Sequence, residues 1–279
     1  MSVINTNVNS IKAQNALAVN SRSLSTAMTE LSTGKKINGA KDDAAGLAIV
    51  QTMTAQIRGL DQAVRNANDG ISLLQTADGA MIEQSNMLQR MRELAVSAAT
   101  DTVTTEQKAH LDAEYQNLIT EIDRIGGNTQ WNGVNLLDAK GGAGSDGKYV
   151  FQVGANGSQT ITVAVKDASI KAGIFTDVKG GDITTAAKAT TAIANIDKAL
   201  LAGNTQRATL GAGINQLNYA ADNLANVSMN ASASRSRIED TDYAAASTEL
   251  ARTQIIQQAA TAMLAQANQA PQSVLALLK

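Results

Sequence analysis

Residues 50–95 read VQTMTAQIRGLDQAVRNANDGISLLQTADGAMIEQSNMLQRMRELA, and one rhythm runs through the whole stretch. Val50, Met53, Ile57, Leu60, Val64, Ala67, Ile71, Leu74, Asp78, Met81, Ser85, Leu88, Arg92 and Ala95 follow at alternating gaps of three and four. That beat keeps one stripe of a helix turned toward a partner, so the spacing predicts a single continuous helix with a seam. At about 1.5 Å per residue it would be roughly 70 Å long. Only three rungs are polar, Asp78, Ser85 and Arg92, and they fall one heptad apart. A second ladder, Leu73, Ala77, Ala80, Gln84, Met87, Met91 and Leu94, lies one position over. Two apolar lines on one helix call for two neighbours. One is expected within the chain; the other is either a further intrachain helix or another copy of the chain.

Composition agrees with helices packed lengthwise. Of 279 residues, 44% are hydrophobic but only 3% are aromatic, so the core must be aliphatic. There is one proline, Pro271, where average usage would give roughly fourteen. Nothing therefore breaks a helix until close to the C-terminal end. The net charge of −2 removes the simple argument for nucleic acid or an anionic membrane. Without cysteine, disulfides, thiolate metal sites and cysteine nucleophiles are excluded together. The start, Met1-Ser-Val-Ile-Asn-Thr-Asn7, has neither a basic n-region nor an apolar h-region, so no cleaved secretory signal is expected. No stretch approaches the ~20 apolar residues of a membrane span.

Outward from the long helix, residues 1 to 37 form a weakly charged amphipathic segment. Ile4, Val8, Ile11, Leu17, Leu24, Met28 and Leu31 are expected on or near one face. Gly34 and Gly39 bracket a break, and Asp42 is the expected N-cap of the long helix. After Ala99, the run Thr102-Val-Thr-Thr-Glu106 reads as a turn capping a second helix with Leu111, Tyr115, Leu118, Ile122 and Ile125. The short connection predicts antiparallel packing. Between Gly126 and Gly181 the character changes, with 12 of the 21 glycines and both phenylalanines. Tyr149, Phe151 and Val153, then Ile161, Val163 and Val165, alternate around Gly154-Ala-Asn156-Gly157, which predicts a β-hairpin. Helix resumes near Thr185, with Ile193, Ile196, Leu200, Gly203, Arg207, Leu210, Ile214 and Leu217 on the beat. The final segment, from about Asp242, carries Leu250, Ile255, Ile256, Met263, Leu264, Val274, Leu277 and Leu278. Each amphipathic end gains nothing until its face is covered, so the two ends should pair with each other and with neighbouring copies.

Motifs for chemistry are weak. Gly142-Ala-Gly144-Ser-Asp-Gly147 fits GxGxxG, but the pattern needs a strand before and a helix after, and here a strand follows. The single histidine, His110, has no metal-ligating companion in sequence. Asp42, Asp43, Glu239, Asp240 and Asp242 sit near helix starts, where capping accounts for them. Asn156, Asn226 and Asn230 open N-x-S/T triplets that are common by chance. No enzyme, cofactor or metal is expected. Arg90, Arg92, Glu93 and Leu94 form a compact group that reads as an interface, since Leu94 lies off the main seam.

A resemblance now becomes specific. Ile4-Asn-Thr-Asn7, Leu31-Ser-Thr-Gly34, Asp42-Asp-Ala-Ala-Gly-Leu-Ala-Ile49 and Leu88-Gln-Arg-Met-Arg-Glu-Leu-Ala-Val96 resemble bacterial flagellin. So do Ser236-Arg-Ile-Glu-Asp240, Leu264-Ala-Gln-Ala-Asn-Gln269 and the ending Pro271-Gln-Ser-Val-Leu-Ala-Leu-Leu-Lys279. The likeness spans about four-fifths of the chain. It implies a mainly α fold: a long antiparallel helical coiled-coil bundle with a small β-hairpin insertion, the N- and C-terminal helices paired. Residues 1–42 and 236–279 would form the inner core, 43–138 and 185–235 the helical rod, and 139–184 a short segment in place of variable outer domains.

The resemblance further implies an extracellular subunit of the flagellar filament, a homopolymer exported without a cleaved signal. Its implied partners are the flagellar export apparatus, an export chaperone, the filament cap and hook-associated proteins, with no nucleic acid and no membrane insertion. Assembly residues would include Ile4, Val8, Ile11, Leu17, Leu24, Met263, Leu264, Val274, Leu275, Leu277 and Leu278. Gln89, Arg90, Leu94 and Glu114 resemble a surface that touches the next subunit and is read by the host innate flagellin receptor. The rival readings are a hook–filament junction protein and a secreted coiled-coil effector or adhesin.

Overall fold

The structure, a computed structural model, describes residues 6–142 and 144–276, with side chains through residue 269. In order it holds α1 (Val8–Thr33), α2 (Ala44–Ala99), α3 (Thr105–Asn128), β1 (Gln130–Trp131), β2 (Val134–Asn135), β3 (Lys148–Gln152) and β4 (Thr160–Ala164). A 3-10 turn at Thr176–Val178 precedes α4 (Ala186–Glu239) and α5 (Tyr243–Ala276). The polypeptide divides into two compact units, Met1–Ala55 with Asn230–Lys279, and Gln56–Met229. Both boundaries fall inside the long helices α2 and α4.

In the Gln56–Met229 unit the main ladder does what its spacing predicts. Ala67, Leu74, Met81, Leu88 and Ala95 are fully buried, and Leu60 nearly so. Its polar rungs turn to α4. The Arg207 Nε donates to Asp78 Oδ1 at 2.8 Å, and Arg92 Nε donates to Asp197 Oδ1 at 2.7 Å. Ser85 Oγ, midway between them, donates to the Met81 carbonyl at 2.9 Å in its own helix. Farther along, Ser228 Oγ donates to Asp61 Oδ1 at 2.8 Å, so α2 and α4 run antiparallel in one register.

The second ladder is satisfied within the same polypeptide. Leu73, Ala77, Met91 and Leu94 are buried in the same cluster as Tyr115 and Ile122 of α3, and Gln84 is buried on the same line. Gln84, an amide in an apolar line, donates from Nε2 to the carbonyls of Ile122 and Ala168, each at 3.0 Å. It thereby ties α2 to α3 and to the Gly-rich segment at once. The start of α3 is a capping box: Thr104 Oγ1 accepts from the Gln107 N–H while Gln107 Oε1 accepts from the Thr104 N–H.

The Gly-rich stretch contributes core rather than merely decorating a scaffold. Tyr149, Ile161, Val163 and Val165 of the hairpin region are buried, and Ala168, Phe175, Val178 and Ile183 beyond it fully so. The β3–β4 register pairs Tyr149 with Val163 and Phe151 with Ile161, as the alternation predicts. Sidedness follows from a two-residue period that sends alternate side chains to the helices. The helices accept the hairpin where they have no side chain. A Cβ at Gly70 would meet Phe151 Cδ1 at 2.8 Å, and one at Gly213 would meet Val163 Cγ2 at 2.8 Å. A smaller hairpin, β1–β2, turns at Asn132 and Gly133, whose φ values of 48° and 78° suit the two-residue turn of a right-twisted ribbon.

In the terminal unit, α1 ends where Gly34 adopts φ 71° and its N–H donates to the Glu30 carbonyl at 2.9 Å. The N-cap expectation for α2 needs correction by one residue. Asp43 Oδ1 accepts from the Gly46 N–H at 2.9 Å, while Asp42 Oδ2 turns back to the N–H groups of Asn38 and Gly39. The reason is positional: α2 begins at Ala44, so residue 43 directly precedes the first turn and its carboxylate reaches the third N–H, whereas Asp42 lies one residue too early. Asp242 caps α5 by accepting from the Ala244 N–H at 2.9 Å.

Candidate assembly surfaces

The antiparallel α1–α5 pair is joined along a seam that is small and polar rather than greasy. On α1 the buried residues are Ser10, Asn20 and Ala27, with Leu17, Leu24 and Leu31 half-buried between them. On α5 the seam runs through Ala246, Leu250, Thr253, Gln257, Ala260 and Leu264, again at gaps of three and four. Amides cross it. Asn20 Nδ2 donates to the Thr253 carbonyl at 2.8 Å, Ser10 Oγ to Asn268 Oδ1 at 2.8 Å, and Asn7 Nδ2 to the Ala267 carbonyl at 2.7 Å. At the other end Lys35 pairs in bridge geometry with Asp240, and the Lys35 ammonium forms an ion pair with Glu239.

Because the seam is filled this way, large apolar side chains are left outside it. Val8 is 50% exposed, Ile11 49%, Val19 53%, Ile255 66% and Met263 65%. The expectation of one apolar face on α1 is therefore corrected: Leu17, Leu24 and Leu31 enter the intrachain seam, whereas Val8, Ile11 and Val19 lie on the opposite side by helical spacing. On α5, Leu264 joins the seam and Met263 faces out. Ile4, Leu277 and Leu278 lie outside the described residues, as do the side chains of Val274 and Leu275.

The second surface lies on α2 and α3 of the other unit. Arg90 Nε donates to Glu114 Oε1 at 2.9 Å, and its Nη1 donates to Glu93 Oε2 at 3.0 Å. The hydrogen bond to Glu114, then that to Glu93, makes the guanidinium hold its proton even more firmly than usual. The fork is thus fixed in direction and its remaining N–H groups stay available. Gln89, Arg92, Glu93, Val96 and Ser97 line an open groove of about 550 Å³ beside it. Val96 is 50% exposed there, although no sequence pattern marks it as a surface residue. Leu94, by contrast, is only 3% exposed. It belongs to the apolar cluster against which Leu111 packs, so α3 is the partner that its off-seam position required.

The structure also places the remaining sequence candidates. Residues 141 and 142 and 144–147 are loop and turn leading into β3, with no helix N-terminus after Gly147 to receive a phosphate. His110 is exposed on α3. Among the described residues no three His, Cys, Asp or Glu side chains gather as a metal site, and no helix is long and apolar enough to cross a membrane.

Long helices in register, terminal helices paired over a polar seam and apolar side chains left outward define a structural protein that packs lengthwise. Two family models match it: the bacterial flagellin N-terminal helical region over residues 4–141, and the bacterial flagellin C-terminal helical region over residues 193–278. The chain is 46% identical over 277 residues to a flagellin of Halalkalibacterium halodurans, covering 99% of this chain and 100% of that one. It is 39% identical over 287 residues to the flagellar filament 33 kDa core protein of Treponema phagedenis, covering 99% and 100%. Flagellin A of Vibrio anguillarum, 34% identical, aligns over 380 positions, far more than the 279 residues present here. The crystal structure of Bacillus cereus flagellin superposes with a TM-score of 0.50 at 33% identity, covering 57% of this chain and 88% of that one. The chain belongs to the bacterial flagellin family. It is a subunit of the flagellar filament, the extracellular polymer that drives swimming, and it self-assembles.

Proposed function

We propose that the α1–α5 pair packs against the same pair of neighbouring copies to form the inner tube of the filament. In this reading residues 1–42 and 236–279 make the tube, 43–138 and 185–235 the rod outside it, and 139–184 stand where longer flagellins carry outer domains. The observation that carries it is the outward apolar set Val8, Ile11, Val19, Ile255 and Met263 on a pair whose internal seam is already filled. Covering each such side group contributes about 1.5–3 kcal/mol. Five of them per subunit contribute at most roughly 7–15 kcal/mol to joining neighbouring copies.

The subunit leaves the cell through the flagellar export apparatus, held by an export chaperone. It adds beneath the filament cap beyond the hook-associated proteins. Gln89, Arg90 and Glu114 form the outward surface that meets the next subunit and, in the free monomer, the host innate flagellin receptor. Leu94 supports that surface from within.

The test is seeded polymerisation of purified monomer, followed by pelleting and electron microscopy. Uniform tubes are expected, and they should be lost on removal of residues 1–30 or 260–279. Val19→Asp and Ile255→Asp should abolish tubes while leaving the Gln56–Met229 unit folded. Normal polymerisation of both point variants would overturn the inner-tube assignment. For the second surface, Arg90→Ala should reduce stimulation of receptor-bearing cells by the monomer, and unchanged stimulation would refute that part.

A further inference from the structure

Three Asn-Gly dipeptides occur in the sequence, Asn38-Gly39, Asn132-Gly133 and Asn156-Gly157, and all three asparagines are exposed. They are chemically equivalent in the unfolded state. The fold makes them different. We propose that Asn156, at the tip of the β3–β4 hairpin, is a site of spontaneous, enzyme-free deamidation, promoted by Gln152 and suppressed at the equivalent Asn38 by Asp42.

The reaction begins when the backbone nitrogen of the following glycine gives up its proton to solvent hydroxide. That nitrogen attacks the asparagine Cγ, a new N–Cγ bond closes a five-membered succinimide, and the bond from Cγ to Nδ2 breaks to release ammonia. Water then opens the ring at either carbonyl, leaving aspartate or isoaspartate. The net change is asparagine plus water to an acid plus ammonia, with no oxidant or cofactor. The slow step needs a stabilised amide anion and a free asparagine carboxamide.

At Asn156 both conditions are met. The Asn156 carbonyl shares its amide with the Gly157 nitrogen, and Gln152 Nε2 donates to that carbonyl at 2.7 Å. A donor on the carbonyl stabilises the anion formed when the nitrogen is deprotonated. The Asn156 N–H is held by Gln159 Oε1 at 3.1 Å. Among the described residues neither the Asn156 carboxamide nor the Gly157 N–H takes a hydrogen bond.

At Asn38 the electrostatics are reversed. The Gly39 N–H donates to the Asp42 carboxylate at 3.0 Å, so deprotonation would place two negative charges together. The Asn38 carboxamide is also tied down, its Nδ2 donating to the Lys35 carbonyl at 2.7 Å. Asn132 is intermediate. It has no such carboxylate, but among the described residues its carbonyl takes no side-chain donor of the kind Gln152 supplies, and its φ of 48° belongs to the two-residue turn between β1 and β2. The product at position 156 adds a negative charge to an exposed turn. Its isoaspartyl form also lengthens the backbone beside Ala155, the residue that a Cβ on Gly59 of α2 would touch at 3.0 Å.

The experiment incubates the full-length monomer in mildly alkaline buffer, then follows each dipeptide by peptide mapping with mass spectrometry and isoaspartate detection. The expected order of conversion is Asn156, then Asn132, then Asn38. In denaturant the three rates should converge. Gln152→Ala should slow Asn156 alone, by on the order of tenfold, equivalent to about 1.4 kcal/mol in the barrier. Gly157→Ala should also slow it, and a Cβ there meets nothing within 4 Å, so the fold is retained. Conversion of Asn38 as fast as Asn156 in the native protein would overturn the proposal. So would persistence of the order in denaturant, or an unchanged rate in Gln152→Ala.

Discussion

Two glycines on α2 give opposite answers to one substitution. Gly70 and Gly79 are both interior to the helix. In each, glycine costs about 0.5–1 kcal/mol relative to alanine through backbone entropy. At Gly79 a Cβ meets nothing within 4 Å, so Gly79→Ala should collect that gain in full. At Gly70 the Cβ would stand 2.8 Å from Phe151 Cδ1, 2.9 Å from Cε1 and 3.1 Å from Leu217 Cδ1, between the hairpin and α4. Overpacking of that kind costs typically 1–3 kcal/mol. The helix-propensity gain is common to both, so it cancels, and the variants should differ by about 1–3 kcal/mol. For a unit of this size each kcal/mol moves the midpoint by roughly 2–4 °C. The assay is thermal unfolding of monomer followed by fluorescence of Trp131, the only tryptophan, which lies in the same unit. Gly79→Ala should melt above the parent and Gly70→Ala below it. Equal midpoints for the two would refute the close hairpin–helix approach.

Other outcomes follow from local geometry. Asp43→Ala should cost about 1 kcal/mol by loss of the N-cap, seen as faster hydrogen exchange at the Gly46 amide, whereas Asp42→Ala should leave that amide protected. Asn20→Leu removes the buried amide that fixes the α1–α5 register, so cysteines placed at Ala27 and Ala246, each seven residues on from the Asn20–Thr253 layer, should oxidise less completely in that background. An unchanged disulfide yield would count against it. Burial first, then the charges of Asp112 and Asp182, push the Tyr115 phenol up to about 12. Its contribution to stability is therefore intact below pH ~10 and lost as pH rises through about 12. Ultraviolet titration should show this phenolate forming only as the unit unfolds.

The long helices are legible because their period is written in large residues. The ladder from Val50 to Ala95 and the hairpin alternation both translate directly into buried faces. On α4 the large residues tell only part of the story. Ile196, Leu210 and Leu217 are fully buried as the beat predicts, but Ile193, Leu200 and Ile214 are only half-buried, and the rest of the buried line runs through Ala189, Ala192, Ala199, Gly203 and Gly213. Those positions are small because Phe175 and Val163 approach Gly203 and Gly213 from the Gly-rich segment, a partner that no local pattern announces. The same cause hides the terminal seam: Ser10, Asn20 and Thr253 look like surface residues until the facing helix supplies their hydrogen-bond partners. Leu94 misleads for the opposite reason, since an apolar residue off one seam belongs to a second, intrachain one.

The amide crossing from Asn7 to Ala267 joins residues 260 apart, so no fragment short of nearly the entire polypeptide holds both halves of the terminal unit. Closure of so long a loop is slow and entropically unfavourable, yet the Asp61–Ser228 contact, 167 residues apart, lies within it. Once that inner contact has formed, the effective loop shrinks to about 90 residues, and the entropic penalty falls by roughly 1 kcal/mol. The connectivity thereby favours closing the Asp61–Ser228 loop before the Asn7–Ala267 one. Closure of the α1–α5 pair therefore waits until both ends of the polypeptide are free at the same moment, however early the middle has folded.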